Sequence, residues 1–399
     1  MALPLPLLEK HTAAPQLSRL WQQMHRSQSV PPGRAPVLLL ALPPAWENRF
    51  QVLLYGRAAA HGVAVAGLRH PDDLVHVSWP GPVVLHAHWF ASVFTSALSE
   101  ADATARLHAM IRTIEAFAVR TGARLLWSAH NIFPHGDRFP QTYLALRRWI
   151  FERFDLLHVM DDSHVTVLEH AYGRAAPPAF CVPHMTYHGA VPDSIDRNAA
   201  RAHFGIARDA FVFGAFGSLQ RYKNLDRLLE VICAMADARP DRPLEVICAM
   251  ADARPDRPLA ALVGGVPGDA DFARALVARF ADDPRITLIA RMIADAEIQY
   301  LHHGADVMVM PYSDTLNSGA ALMAATFARP FVMPRTAGAD AMLPLGARLY
   351  EQDTAHGLRS ALEDCLEVQG MPKPDPAALA ARAPQRISDA FMTAMLAGL

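Results

Sequence analysis

From residue 36 onward the chain alternates short apolar runs with longer stretches of helical periodicity. PVLLLAL (36–42), VVLHAH (83–88), RLLWSAH (124–130) and LLHVM (156–160) each stop at a polar or Gly/Pro-marked turn, as buried parallel strands do. A second series repeats the theme with FVFGAFG (211–217), LAALVGG (259–265), ITLIA (286–290), DVMVMP (306–311) and PFVMP (330–334). The alternation predicts βαβ units around two parallel sheets. Between the series, the segment 182–200 carries Pro183, Gly189 and Pro192 and then a helical pattern, so the joint falls near 183–200. The chain therefore divides into an N-terminal extension (1–33), a first domain (34–190), a second domain (191–375) and a C-terminal helix (376–399). Open parallel sheets bind ligands beyond the carboxyl ends of their strands, so turns from the two doubly wound α/β domains are expected to face a cleft.

Two segments depart from this rhythm. QLSRLWQQMHRSQ (16–28) predicts a short helix with Leu17, Leu20, Trp21 and Met24 on one side. Its few basic residues favour packing on the first domain over contact with a membrane surface. LEVICAMADARPDRP at 229–243 is followed at once by an identical copy at 244–258. Two perfect copies are not the several diverged units of a solenoid. Pro240 and Pro243 should stop the helix that begins near Asn224, so the second copy is expected to form a surface insertion.

Composition narrows the function classes. The 399 residues suit two α/β domains, and 52% apolar with 19% charged residues excludes a disordered chain. A net charge of -2 offers no field for phosphate backbones, so nucleic acid is not an expected partner. Cys181, Cys233, Cys248 and Cys365 are scattered without a CxxC pair, which fits a reducing cytoplasm and suggests neither a disulfide framework nor zinc. No apolar run is long enough to cross a bilayer, and the N-terminus lacks the order of a signal peptide; a cytoplasmic protein is expected.

The chemistry concentrates in the second half. VMVMPYSDTLNSGAALMAATFARPFVMP reads strand, loop, helix, Pro, strand. Asn317 or Ser318 caps the helix, and Gly319 lets a ligand approach the backbone, where free N–H groups and the helix dipole make an anion site. Alone, such a turn is more often only a cap. Earlier, FGAFGSLQRYKNLDRLL places a glycine turn (Gly214, Gly217) and then Arg221 and Lys223 between a strand and a helix. Two cations beyond a strand end suit a diphosphate whose negative charge grows as it departs.

FGSLQRYKNLDRLLE together with MPYSDTLNSGAALMAATFARPFVMP resembles the C-terminal half of family 4-like GT-B glycosyltransferases, closest to the β-mannosyltransferases of xanthan-type exopolysaccharide assembly. LHAHW and AHNIFPHGD extend the likeness over most of residues 36 to 340. It implies two Rossmann-like domains and a nucleotide diphosphate sugar donor, GDP-mannose foremost, held by Gly217, Arg221, Lys223, Tyr312, Asn317, Ser318 and Gly319. It implies a lipid-linked oligosaccharide acceptor met at the inner membrane face, with Asn48, Arg49 and His135 on the acceptor side; Tyr55 shares that acceptor-side helix, though capping and core packing explain Asn48 and Tyr55 equally well. Many family 4 enzymes carry two glutamates eight positions apart; the corresponding positions here are Thr315 and Met323. Their absence, like the resembling mannosyltransferases, points to inversion.

Inversion needs a general base for the acceptor hydroxyl. The strand-end candidates are His86 and His88, His130, His135 and Asp137, and Asp161 and Asp162. A histidine is largely neutral at cytoplasmic pH and accepts a proton readily. His86, inside an apolar run, suits a core role better. His88 and His130 stand before turns, where function and structure weigh equally, and His88, His130 and Asp137 are the expected catalytic set. No third ligand accompanies His86 and His88 and no DxD-like motif precedes the donor site, so no metal or other cofactor is expected. A retaining transferase with another sugar, or a catalytically idle subunit of the same fold, are the competing readings.

Overall fold

The computed structural model describes residues 6–27, 30, 33–45, 48–134, 138–237, 258–313, 315–352, 356–366 and 371–399. Its strands are β1 (Val37–Leu42), β2 (Val63–Gly67), β3 (Val83–Ala87), β4 (Arg124–Ser128), β5 (Leu156–Val159), β6 (Ala179–Cys181), β7 (Phe211–Phe216), β8 (Leu259–Gly265), β9 (Ile286–Ala290), β10 (Val307–Val309), β11 (Phe331–Pro334) and β12 (Ala347–Tyr350). They form two six-stranded parallel sheets with helices between successive strands. The expected fold class, two Rossmann-like doubly wound sheets, is the observed one.

The chain forms two compact units, residues 1–185 with 382–399, and residues 186–381. The changeover at Met185 lies a few residues before the expected boundary at 190, and segment 186–197 is tied to the second unit: the Tyr187 amide donates to Thr326 Oγ1 at 2.8 Å and the Ser194 amide to Gln299 Oε1 at 2.9 Å. The segment expected as one C-terminal helix, 376–399, carries two: Pro376–Ala381 lies in the second unit, and Pro384–Ala397 belongs to the first, where Ile387, Phe391, Met392 and Met395 join a core with Leu54, Tyr55 and Leu156. The N-terminal extension is also built in. Leu8 is buried, Leu7 bridges to Gly67, and the helix Ala13–Arg26 buries Leu17 and Met24 while Trp21 meets Trp79 edge-on.

The first sheet runs β2-β1-β3-β4-β5-β6 and the second β12-β11-β10-β7-β8-β9. Numbered within its own unit, the second order is 3-2-1-4-5-6, the dinucleotide-binding order, with its switch point between β7 and β10. In the first sheet the reversal falls between β1 and β3. The helix is described over Leu225–Asp237, and β8 is in place between β7 and β9. The expected surface insertion itself falls outside the described residues. Among those residues, no helix is long and apolar enough to cross a membrane.

Candidate functional sites

In the second unit, the turns after β7 and β10 come together at the switch point. Gly217 leaves β7 with φ at +123°, a backbone that side chains rarely adopt. Its carbonyl lies so close to Gly265 that a Cβ there would overlap the oxygen. A tight 3-10 turn, Arg221–Lys223, follows, and Asn224 closes it with φ at 48°. The turn is fastened to the loop after β10: Asn224 Nδ2 donates to the Pro311 carbonyl at 3.0 Å, and the Ser313 amide donates to the Tyr222 carbonyl at 2.9 Å.

These fastenings fold Lys223 back under the glycine turn. A Cβ at Gly217 would stand 2.7 Å from Lys223 Nζ, which lies 5.0 Å from the centre of the Tyr312 ring. Gly217, Ser218, Lys223, Gly264 and Tyr312 line one small recess. Lys223 is only 8% exposed, and none of the described carboxylates pairs with it. Burial holds its ammonium below the usual lysine range. A buried cation without a matching carboxylate leaves a charge to be answered by an incoming anion.

The helix Gly319–Thr326 starts beside this recess. Ser318 caps it, accepting from the Ala321 amide at 3.2 Å, and also hydrogen-bonds the Tyr312 phenol, which burial raises far above its ordinary value. The first intrahelical bond runs from Leu322 to Ser318, so Gly319 and Ala320 carry the N–H groups a helix start leaves over. Asn317 precedes the cap, its carbonyl accepting from Thr315 Oγ1 at 2.9 Å. Met323 is buried in the helix, so neither Thr315 nor Met323 supplies a carboxylate. Arg221 is placed differently from Lys223: its side chain is 70% exposed, pairs with Asp269 at 3.0 Å and covers the Phe272 ring.

In the first unit the histidines form a continuous hydrogen-bonded chain. Tyr55, at the end of the helix Arg49–Leu54, reaches His86 Nδ1 at 2.8 Å and His88 Nε2 at 2.6 Å. His86 Nε2 meets Ser128 Oγ at 2.7 Å, and Ser128 Oγ meets His158 Nδ1 at 2.6 Å. His158 Nε2 donates to the Val182 carbonyl at 2.8 Å. At the other end, His88 Nδ1 meets His130 Nε2 at 2.9 Å. Burial, and after it the neighbouring histidines, hold His86, His88 and His130 well below 6.5. Burial takes His158 to about 4.

His88 is 1% exposed and lies behind His130, so it has no surface to offer an acceptor hydroxyl; of the two, only the half-buried His130 does. The His130 ring stacks on Trp89 at 4.2 Å and meets Phe50 edge-on at 5.0 Å. Asn48 caps the helix Arg49–Leu54, accepting from the Phe50 amide at 3.0 Å, and Arg49 is half-buried in its first turn. His135 and Asp137 lie outside the described residues. Asp161 accepts from Ser163 at the start of the next helix. Ser128 and His158 are the members of this chain that sequence reasoning did not assign to a site, and Tyr55 was matched only to the acceptor-side helix, with core packing an equal explanation. The signal for Ser128 and His158 is a polar residue set inside each of two apolar runs, WSAH and LLHV, that neighbour LHAH. Among the described residues, no group of three or more His, Cys, Asp or Glu is arranged to hold a metal ion.

No protein-family model matches the sequence, and no curated protein matches it. Solved structures do resemble it. Sucrose-phosphate synthase from Thermosynechococcus elongatus superposes with a TM-score of 0.59 at 14% identity, over 90% of this chain and 97% of that one. HepE of Anabaena in complex with UDP-glucose gives 0.62 at 13% identity, over 91% and 100%. The trehalose 6-phosphate synthase of Burkholderia multivorans gives 0.60 at 13%, over 91% and 97%. These likenesses establish the GT-B fold.

Proposed function

We propose that the protein is a glycosyltransferase that moves a sugar from a nucleotide diphosphate donor to a hydroxyl acceptor with inversion. The observation that carries this reading is Lys223: a buried ammonium without a carboxylate among the described residues, set at the switch point beside a capped helix start. A departing diphosphate matches it in charge, and the amides of Gly319 and Ala320, left over at the helix start, are donors suited to the same anion. Enzyme activity and donor class draw support from the fold's solved relatives, two of them sugar-phosphate synthases and one a complex with UDP-glucose.

The mechanism follows from groups of this chain. Lys223 and the helix start neutralise the leaving diphosphate as the glycosidic bond breaks. Arg221 joins them only by leaving Asp269, so it ranks second. His130 takes the proton of the attacking hydroxyl. With Thr315 and Met323 in place of glutamates, no carboxylate at these positions is available to support a retaining transfer.

The resemblance makes GDP-mannose the first donor to test and a lipid-linked saccharide of exopolysaccharide assembly the first acceptor. The UDP-glucose complex of HepE adds UDP-sugars to the set. Calorimetry with UDP, GDP, UDP-glucose and GDP-mannose, followed by donor hydrolysis and transfer assays with product-anomer analysis, tests the reading. Binding without turnover identifies an idle subunit; retention of configuration overturns the inverting mechanism.

A further inference from the structure

The hydrogen bonds of the first unit fix one another's direction. The Val182 carbonyl only accepts, so His158 carries its proton on Nε2 and, being neutral, offers a lone pair at Nδ1. The Ser128 hydroxyl therefore donates to His158 Nδ1 and must accept from His86 Nε2–H. His86 Nδ1 is then an acceptor, so the Tyr55 hydroxyl donates to it and accepts from His88 Nε2–H. His88 Nδ1 in turn accepts from His130 Nε2–H. One carbonyl orients six hydrogen bonds, and the order cannot run the other way without placing two protons, or none, in one of them.

We propose that this polarised chain sets the tautomer of His130, holding its proton on Nε2 toward His88 and making Nδ1 the atom that accepts a proton. Tyr55, Ser128, His86 and His158 are on this view positioning residues, acting on the reacting hydroxyl only through His130. The inference gives the general base of the reading above its atom and its supports, and rests on that reading only where turnover is concerned. The chain also spreads the charge His130 would take. Once Nδ1 is protonated, the Nε2 proton of His130 can move to His88 Nδ1, and each later link can pass one proton on, atom for atom, as far as His158.

The test is 15N NMR of histidine-labelled protein, each signal assigned by substitution. At neutral pH, His86, His88, His130 and His158 are all expected as Nε2–H tautomers; an Nδ1–H tautomer at any of the four overturns the proposal. Tyr55→Phe cuts the chain in its middle. His88 and His130 should then lose their single tautomer while His86 and His158, still anchored to Val182, keep theirs; equal effects on all four, or none, refute the direction. In transfer assays the same variant should lower kcat about tenfold with the donor KM unchanged. The wild-type tautomers decide the proposal even if Tyr55→Phe fails to fold. A wild-type protein that shows the expected tautomers yet transfers no sugar upholds the chain and removes only the transferase reading.

Discussion

At Lys223, stability and binding pull in opposite directions. Burial lowers its proton affinity below that of the same lysine in an unfolded chain. Between the folded and unfolded pKa values the unfolded chain binds more protons, so stability rises with pH there and is lowest where Lys223 is fully charged. Lys223→Met keeps the length and removes the cost. It should raise the melting temperature at neutral pH while weakening donor diphosphate binding by about 2 to 4 kcal/mol. Parallel melts and calorimetry read both effects; a variant that melts lower and binds unchanged would place Lys223 in the packing rather than the site. Arg221→Ala, which removes an exposed pair with Asp269, should cost less than about 1 kcal/mol in stability. This contrast was hidden in the sequence, where RYK presents both cations alike. The 3-10 turn separates them, turning Lys223 inward under Gly217 and leaving Arg221 outside.

The elements show why some of the architecture was readable and some was not. Nine strands announced themselves as apolar runs because parallel strands buried on both faces need no alternation. β2, β6 and β12 did not: β6 is three residues with none fully buried, ARLY is four with its middle pair only half-buried, and VAVAG, though all buried, is built of small side chains that continue the Ala-rich stretch before it. The histidine chain was legible only in pieces. Register sets Ser128 beside His158, but Tyr55 reaches His86 from a helix 31 residues away, which no spacing rule shows. At the helix start, cap and anion site share one residue, and two substitutions separate them. Ser318→Ala should cost about 1 kcal/mol of stability by chemical denaturation. Ser318→Asp restores a capping oxygen but sets a negative charge where the diphosphate would dock, so stability should largely recover while donor binding is lost. Binding that survives in the aspartate variant would reduce this turn to a cap.

At the scale of the whole molecule, acid and chain length test the two units separately. His86, His88, His130, His158 and His184 all lie in the first unit with pKa values lowered, His158 and His184 to about 4. Each is neutral when folded, so as pH falls from about 6.5 toward 4 the unfolded chain takes up protons first. Each histidine then removes up to about 1.4 kcal/mol per pH unit. Denaturation followed at pH 7.5, 6 and 5 should show the first unit weakening steeply. The duplication bears on the second unit. The described part of the helix reaches Asp237 and β8 begins at Leu259, with 21 residues, 238–258, between these two positions. Removing 244–258 leaves six residues, 238–243, an ordinary length for such a connection, and sets Pro243 before Leu259 where Pro258 now stands. Treated as a plain connection, the shortening from 21 to six residues should stabilise the unit by about 1 kcal/mol through loop closure. The Pro258 carbonyl now accepts from Phe211, a bond the substituted proline would restore. The shortened protein should therefore fold, melt no lower than the parent and bind the donor equally well. Loss of donor binding in a folded shortened protein would show that the second copy contributes to the site itself.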